Sequence, residues 1–303
     1  MGADELKRII TNIKWKFKKT KNNWPQEKLI SGAMKQYQHY QGYVFDINNP
    51  ILFTEKIVWY KLFYNKPNLI NIVDKFLFKQ YIKEKLGEGY TIPLYGVWSS
   101  IDLLKRDWEK LPREFVLKST LQSDGKFIKV IHDKNSVDLS VLLKELREWL
   151  EPRKTLIHSF CRAYYKGVPR ILAEKYMAQV DNQLYDYKVF CFNGRPCYNY
   201  VATDHFPGQL SHISFYDLAW NKLDVHYGKH PNCDVAPPKH YKEMLKISEK
   251  LSREFPFIRI DFFEADKLYL AEMTLYPGGG TSPIYPKSFN KEMGDLFVLP
   301  KSN

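Results

Sequence analysis

The apolar positions follow two different periods, and each change of period marks an element. Leu6, Ile9, Ile10, Ile13 and Phe17 recur at three- and four-residue steps, the stripe of an amphipathic helix. Residues 22–50 lose that period among Asn-Asn and Pro breaks and read as irregular. Helical spacing returns from Thr54 to Tyr64 and from Asn68 to Leu86, where Gly87 and Gly89 stop it. A short strand, Ile92 to Val97, and a helix near Ile101 to Trp108 follow. From Leu111 the texture turns to alternation. Phe115 to Lys118 and Phe127 to Ile131 read as a hairpin around the polar loop Ser119 to Lys126. Val137 to Leu150 is an amphipathic helix. Ile171 to Met177, Tyr185 to Phe192, Pro196 to Ala202 and His212 to Phe215 are strands, with Asn193-Gly194 as a hairpin turn. Lys239 to Phe255 is a helix, Phe257 to Phe263 and Leu268 to Leu275 a last hairpin, and the C-terminal stretch reads as mostly irregular.

Helices mixed with antiparallel hairpins, without a βαβ repeat, predict an α+β fold. The 303 residues are 44% apolar and 16% aromatic, which excludes disorder. No apolar run reaches the roughly 18 residues a membrane-crossing helix needs. Cys161, Cys191, Cys197 and Cys233 show no Cys-x-x-Cys spacing, which disfavours a zinc knuckle. The start lacks the continuous apolar segment of a secretory signal, so free thiols and a cytoplasmic location are expected.

The formal charge of +12 points to an anionic partner without choosing one. Seven lysines and arginines crowd residues 7–21, where two readings stand: a helix docked on its own protein, or one lying on anionic lipid with Trp15 and Phe17 at the head groups. No phosphate-loop, dinucleotide, nucleophile-elbow or kinase catalytic-loop motif occurs, so the chemistry falls to dispersed residues. No nucleic-acid recognition motif accompanies the charge either.

The last hairpin is the most informative segment. Alternation puts Arg259 and Asp261 on one face of its first strand and Glu272 and Thr274 on one face of its second. A two- or four-residue turn would bring the two faces together, whereas a three-residue turn with a bulge breaks that parity. Two carboxylates and a hydroxyl suit magnesium, which completes its shell with phosphate and water; a plain Arg259–carboxylate surface pair is the alternative. Lys118 and Lys188 sit inside apolar strands, where a lysine is costly unless it meets an anion. Each is otherwise a snorkelling edge residue. Together with the carboxylates they point to a magnesium–nucleotide site. Glu174, also inside an apolar run, is placed to accept from an adenine amino group, or is a strand-edge glutamate.

Read in order, these segments resemble the ATP-grasp superfamily, and within it the teichuronopeptide-biosynthesis, TupA-like branch. The phrases that carry the resemblance are Leu111 to Lys118, Ile171 to Met177, Asp186 to Gly194, Arg259 to Phe263, Ala271 to Thr274 and the Pro277-Gly-Gly-Gly stretch, with Asp74-Lys75 and Ile92 to Val97 beside them. They span roughly residues 70–295. The resemblance implies two α+β lobes enclosing ATP. It divides the chain into a basic helix at 1–21, a helical region at 22–110, a small lobe at 111–178 and a C-terminal lobe at 179–303. It implies ATP and Mg2+ as cofactors. Lys118 and Lys188 would neutralise phosphates, and Ser123, Gly125 and Lys126 would form the loop over them. Glu174 and Met177 would hold adenine. Asp261, Glu272 and Thr274 would bind metal, with Thr274 standing where many members have Asn. Arg259 and Lys188 would be catalytic, and Arg259, Gly279 and Gly280 would hold substrate.

The implied reaction joins a carboxylate to an amine through an acyl-phosphate. The expected partners are an acidic saccharide acceptor of a capsule or cell-wall polysaccharide and an amine donor, with peripheral membrane contact through residues 1–21 and a location at the inner face of the membrane. Three rivals remain: an ATP-grasp kinase, which shares the same ATP residues; a glycosyltransferase of the same pathway, lowered by the absence of Asp-x-Asp; and a basic glycan- or membrane-binding module without turnover.

Overall fold

Two antiparallel sheets, each backed by helices, face one another across a cleft in the computed structural model, which describes residues 24–121, 127–151, 160–165, 167–177, 185–203 and 210–301. The expected helix at 1–21 lies outside the described residues, as do Ser123, Gly125 and Lys126.

Three helices lead in: α1 (Gln26–Gln41), α2 (Phe53–Phe63) and, after the short turn α3 (Ile70–Val73), α4 (Lys75–Leu86). α1 occupies a stretch expected to be irregular. Leu29, Ala33 and Tyr37, four residues apart, form its buried stripe, and Gly42 ends it in the left-handed conformation (φ 81°). The helical stretch expected from Asn68 to Leu86 is divided at Asp74, where the sequence opens a fresh run with Asp74-Lys75. Asp74 is extended, and its carboxylate caps α4 by accepting from the amides of Phe76 (2.9 Å) and Leu77 (3.0 Å). α2 is buried on nearly every side, Lys61 included.

The smaller sheet has the order β1 (Leu94–Trp98), β4 (Ile171–Glu174), β2 (Phe115–Ser119), β3 (Ile128–Ile131). The segment before residue 111 therefore contributes a strand to it. Helices α5 (Ile101–Asp107) and α6 (Leu139–Trp149) accompany it, their starts capped by Ser100 and Asp138. Leu104, Leu142, Leu146 and Trp149 pack with Phe115, Leu117, Ile171 and Ala173. Alternation then turns Lys118 and Glu174 to the opposite face, toward the cleft.

The larger sheet starts from β5 (Asp186–Phe192), β6 (Arg195–Thr203), β7 (His212–Tyr216) and the two-residue β8 (Lys222–Leu223). β10 (Phe257–Glu264) adds to β5 and β11 (Leu268–Thr274) to β10. Asn193 and Gly194, both at positive φ, make the β5–β6 turn. Helix α7 (Tyr241–Ser252) packs against β5, β6 and β10. The chain closes with β12 (Ile284–Tyr285), paired to β9 (His226–Tyr227), and with helix α8 (Lys287–Leu296), where irregular chain was expected. Phe289 and Met293 bury one side of α8. Among the described residues no helix is long and apolar enough to cross a membrane. All four cysteines carry free thiols.

Candidate functional site

The β10–β11 hairpin has a three-residue turn, Ala265 to Lys267, between the paired Glu264 and Leu268. With unbroken pairing that turn would set Glu272 opposite Ile260, on the core face. A bulge at Ala271 corrects the count: Phe262 pairs with Leu270, then Asp261 with Glu272 and Arg259 with Thr274. The expectation that a three-residue turn with a bulge breaks the parity is therefore reversed, because here the bulge restores it. On the other side of β10, Asp261 pairs with Lys188 of β5. Arg259, Asp261, Glu272, Thr274 and Lys188 thus share one patch by register alone.

The patch is tightly bonded. Arg259 grips Asp261 bidentately, Nε to Oδ1 at 2.7 Å and Nη2 to Oδ2 at 2.6 Å, and Nη2 also reaches Thr274 Oγ1 at 3.0 Å. Lys188 Nζ donates to Asp261 Oδ2 at 2.9 Å and to Asp186. Thr274 Oγ1 donates to Glu272 Oε1 at 3.2 Å. Burial works against the charges of Arg259, Asp261 and Lys188, and opposite charge outweighs it. Asp261 lies below the ordinary carboxylate range because Arg259 and Lys188 overcome its desolvation. Lys188 lies above the ordinary lysine value because Asp186 and Asp261 overcome its own.

Across the cleft, Glu174 accepts from Lys118 and pairs with Lys79 at 3.0 Å. Burial would raise its carboxyl, but Lys118 and Lys79 hold the pKa at about 2. Lys79 also donates to the carbonyl of Ile92 at 2.7 Å. Lys75 and Lys79, one helical turn apart on α4, both reach the cavity, and burial lowers both their pKa values. Neither they nor Asp186 were expected from the sequence. In α4 they stand among other lysines (Lys83, Lys85), and only the docking of the helix selects them.

These side chains line one cavity of about 550 Å3 between the two sheets. Lys75, Lys79, Lys118, Lys188 and Arg259 give five positive charges there, and Glu174, Asp186, Asp261 and Glu272 four negative, a formal balance of +1. Of the expected site residues, the structure brings Lys118, Glu174, Lys188, Arg259, Asp261, Glu272, Thr274 and Gly279 to this cavity. It does not bring Gly280 or Met177 to its wall. Gly280 is buried against α2, where an added Cβ would stand 2.7 Å from the carbonyl of Thr54. Met177 lies beyond the end of β4, which stops at Glu174.

The donor set fits a magnesium ion held jointly with a phosphate. Asp261 and Glu272 face one another across the ladder, with the Thr274 hydroxyl beside Glu272, and all are hard oxygens. Among the described residues no group of three or more His, Cys, Asp or Glu is arranged to hold a metal, so phosphate and water oxygens would complete the shell.

A family model described as TupA-like ATPgrasp matches residues 55–298. No curated protein matches the chain. Among solved structures it is similar to D-alanine–D-alanine ligase from Helicobacter pylori, with 17% identity over 76% of this chain and 59% of that one, at a TM-score of 0.42. It is also similar to D-alanine–D-alanine ligase from Bacillus anthracis complexed with ATP, with 18% identity over 75% and 64%, at 0.46. For phosphoribosylamine–glycine ligase from Thermotoga maritima the figures are 13%, 68%, 48% and 0.40. The chain thus spans less than two thirds of the length of each of these proteins.

Proposed function

Because the chain belongs to the TupA-like ATP-grasp family, we propose that it is an ATP-dependent ligase that activates a carboxylate as an acyl-phosphate and joins it to an amine. The observation that carries the reading is the facing pair Asp261 and Glu272, set beside Lys188 and across one cavity from Lys118.

In this reading Lys118, Lys188 and Lys75 neutralise the phosphates. Glu174 accepts from the adenine amino group. Asp261, Glu272 and Thr274 hold Mg2+. When bound, Mg2+ supplies positive charge against the transferring phosphoryl group. The acceptor carboxylate attacks the γ-phosphorus, the bond to the β-bridging oxygen breaks, and ADP leaves. The amine then attacks the acyl carbon, phosphate leaves with the bonding pair, and the nitrogen gives up a proton to water. The chain's part is to place anions in line and stabilise their charge by fixed cations in a partly closed cavity. Arg259, held in place by Asp261 and Thr274, neutralises the acyl-phosphate by its fixed positive charge.

The acceptor in this proposal is a uronic acid of a surface polysaccharide, and the amine an amino acid or amino alcohol. The +12 charge supports an acidic substrate. The work would be done in the cytoplasm at the inner membrane face, with residues 1–21 as the contact. A mass-spectrometric screen of uronate and amine pairs with Mg–ATP tests the reading. ADP, phosphate and a new amide are expected. A stable phosphorylated acceptor without amide would replace the ligase with a kinase.

A further inference from the structure

Lys61 is fully buried in α2, and no carboxylate lies within ion-pair distance among the described residues. Its Nζ donates to the carbonyl of Gly279 at 2.7 Å. A buried lysine held by a carbonyl alone is an expensive feature, and burial depresses its pKa. Stability does not account for it, since an apolar side chain of similar length would pack there without desolvating a charge.

The group it meets is unusual too. Gly278, Gly279 and Gly280 take φ of 56°, 62° and 74°, three successive left-handed residues that follow, after Leu275, Tyr276 and Pro277, the strand that carries Glu272 and Thr274. The turn is clamped on each side. An added Cβ at Gly280 would meet the carbonyl of Thr54 in α2, and one at Gly278 would meet the hydroxyls of Tyr227 and Ser282 at 2.3 and 2.4 Å. The Gly279 amide donates to the carbonyl of Tyr276 at 2.9 Å, and the Gly279 carbonyl accepts from Lys61. Both polar groups of that residue are therefore fixed, while Pro277, Gly278 and Gly279 form part of the cavity wall.

We infer that Lys61 is a positioning residue: from beneath, it fixes the glycine turn that walls the cavity beyond Arg259 and Thr274, and its buried charge biases that end toward an anionic acceptor. The statement about the acceptor rests on the ligase reading; the statement about the turn does not.

Lys61→Met removes the donor and keeps an unbranched apolar stem, and Lys61→Arg keeps a donor. Hydrogen exchange on the full chain is the first readout. In Lys61→Met the peptide 277–282 should exchange about tenfold faster, the scale of a local opening, while β5 and β10 keep their rates, and the melting temperature should hold or rise. Lys61→Arg should restore slow exchange. Unchanged exchange at 277–282, faster exchange spread equally through β5 and β10, or no recovery with arginine overturns the inference. The second readout uses D-glucuronate, hydroxylamine and Mg–ATP, with hydroxamate as product. Lys61→Met should raise the glucuronate KM about tenfold and leave the ATP KM within about twofold, the signature of lost acceptor binding. A wild-type protein that yields neither ADP nor hydroxamate defeats the ligase reading, and the exchange data still decide the role of Lys61.

Discussion

Glu174 shows how burial and pairing together set a charge. Its carboxylate is almost wholly shielded, yet Lys118 and Lys79 keep it ionised down to a pKa of about 2, against an ordinary value of 4.5. A depressed folded-state pKa stabilises the fold above the unfolded value, and that stabilisation fades as pH falls through the folded one. The shift corresponds to about 3 kcal/mol at neutral pH. Urea unfolding of wild type and Glu174→Gln should therefore show a stability gap that narrows from about pH 5 to about pH 2, where the wild-type carboxyl is itself protonated. Parallel curves over that range would detach Glu174 from the two lysines. At this scale Lys118, Glu174, Lys188, Arg259, Asp261 and Glu272 were legible because a charge inside an apolar strand stands out against its neighbours. Lys75 and Lys79 were not. In a lysine-rich helix a buried cation and a solvated one have the same surroundings in sequence, and only packing separates them.

Among the elements, the strands and hairpins were legible because alternation and the Asn193-Gly194 turn are local signals. α1 was hidden by the breaks on either side of it, although Pro25 simply stands at its N-cap. α8 was hidden by a sparse apolar stripe, Phe289 and Met293, within a polar segment. The break at Asp74 depends on a cap whose carboxylate also meets Arg170 at 3.3 Å, a partner nearly a hundred residues away. Asp74→Ala should cost at least the about 1–2 kcal/mol typical of a lost N-cap, read as a lower urea midpoint. The Ala271 bulge is the element on which the site depends most. Deleting Ala271 leaves Leu270 opposite Phe262 and Glu272 opposite Asp261 in a regular ladder, so Mg–ATP binding should survive within about tenfold. Inserting one glycine between Ala271 and Glu272 also allows a regular ladder, but one that slides Glu272 opposite Arg259 and Thr274 opposite Phe257, so that Glu272 no longer faces Asp261 and binding should be abolished. Nucleotide binding measured by tryptophan fluorescence decides between these outcomes, and equal loss in both variants would mean the bulge itself, not the facing, is what matters.

At the scale of the whole molecule, the two sheets bring together charges that neither could assemble alone. The smaller sheet supplies Lys118 and Glu174, α4 supplies Lys75 and Lys79, and the larger sheet supplies the rest. The cavity's balance of +1 does little to neutralise a triphosphate of about −4, and Asp261 and Glu272 add local repulsion. A bound divalent ion changes the sign of their contribution, because the same carboxylates that repel bare phosphate then hold its counter-ion. Glu272 isolates the effect, since Asp261 is also the anchor of Arg259 and Lys188. In Mg2+, Glu272→Gln should weaken ATP binding by about tenfold or more and abolish ATP consumption with the fold intact. In excess chelator the order should reverse, and the variant should bind ATP more tightly than wild type, because one half-buried negative charge facing the phosphates has gone. Equilibrium binding of ATP to both proteins, with Mg2+ and with chelator, measures the crossing directly. Curves that keep the same order in both conditions would show that Glu272 does not hold a metal, and the ligase reading would lose the observation on which it stands.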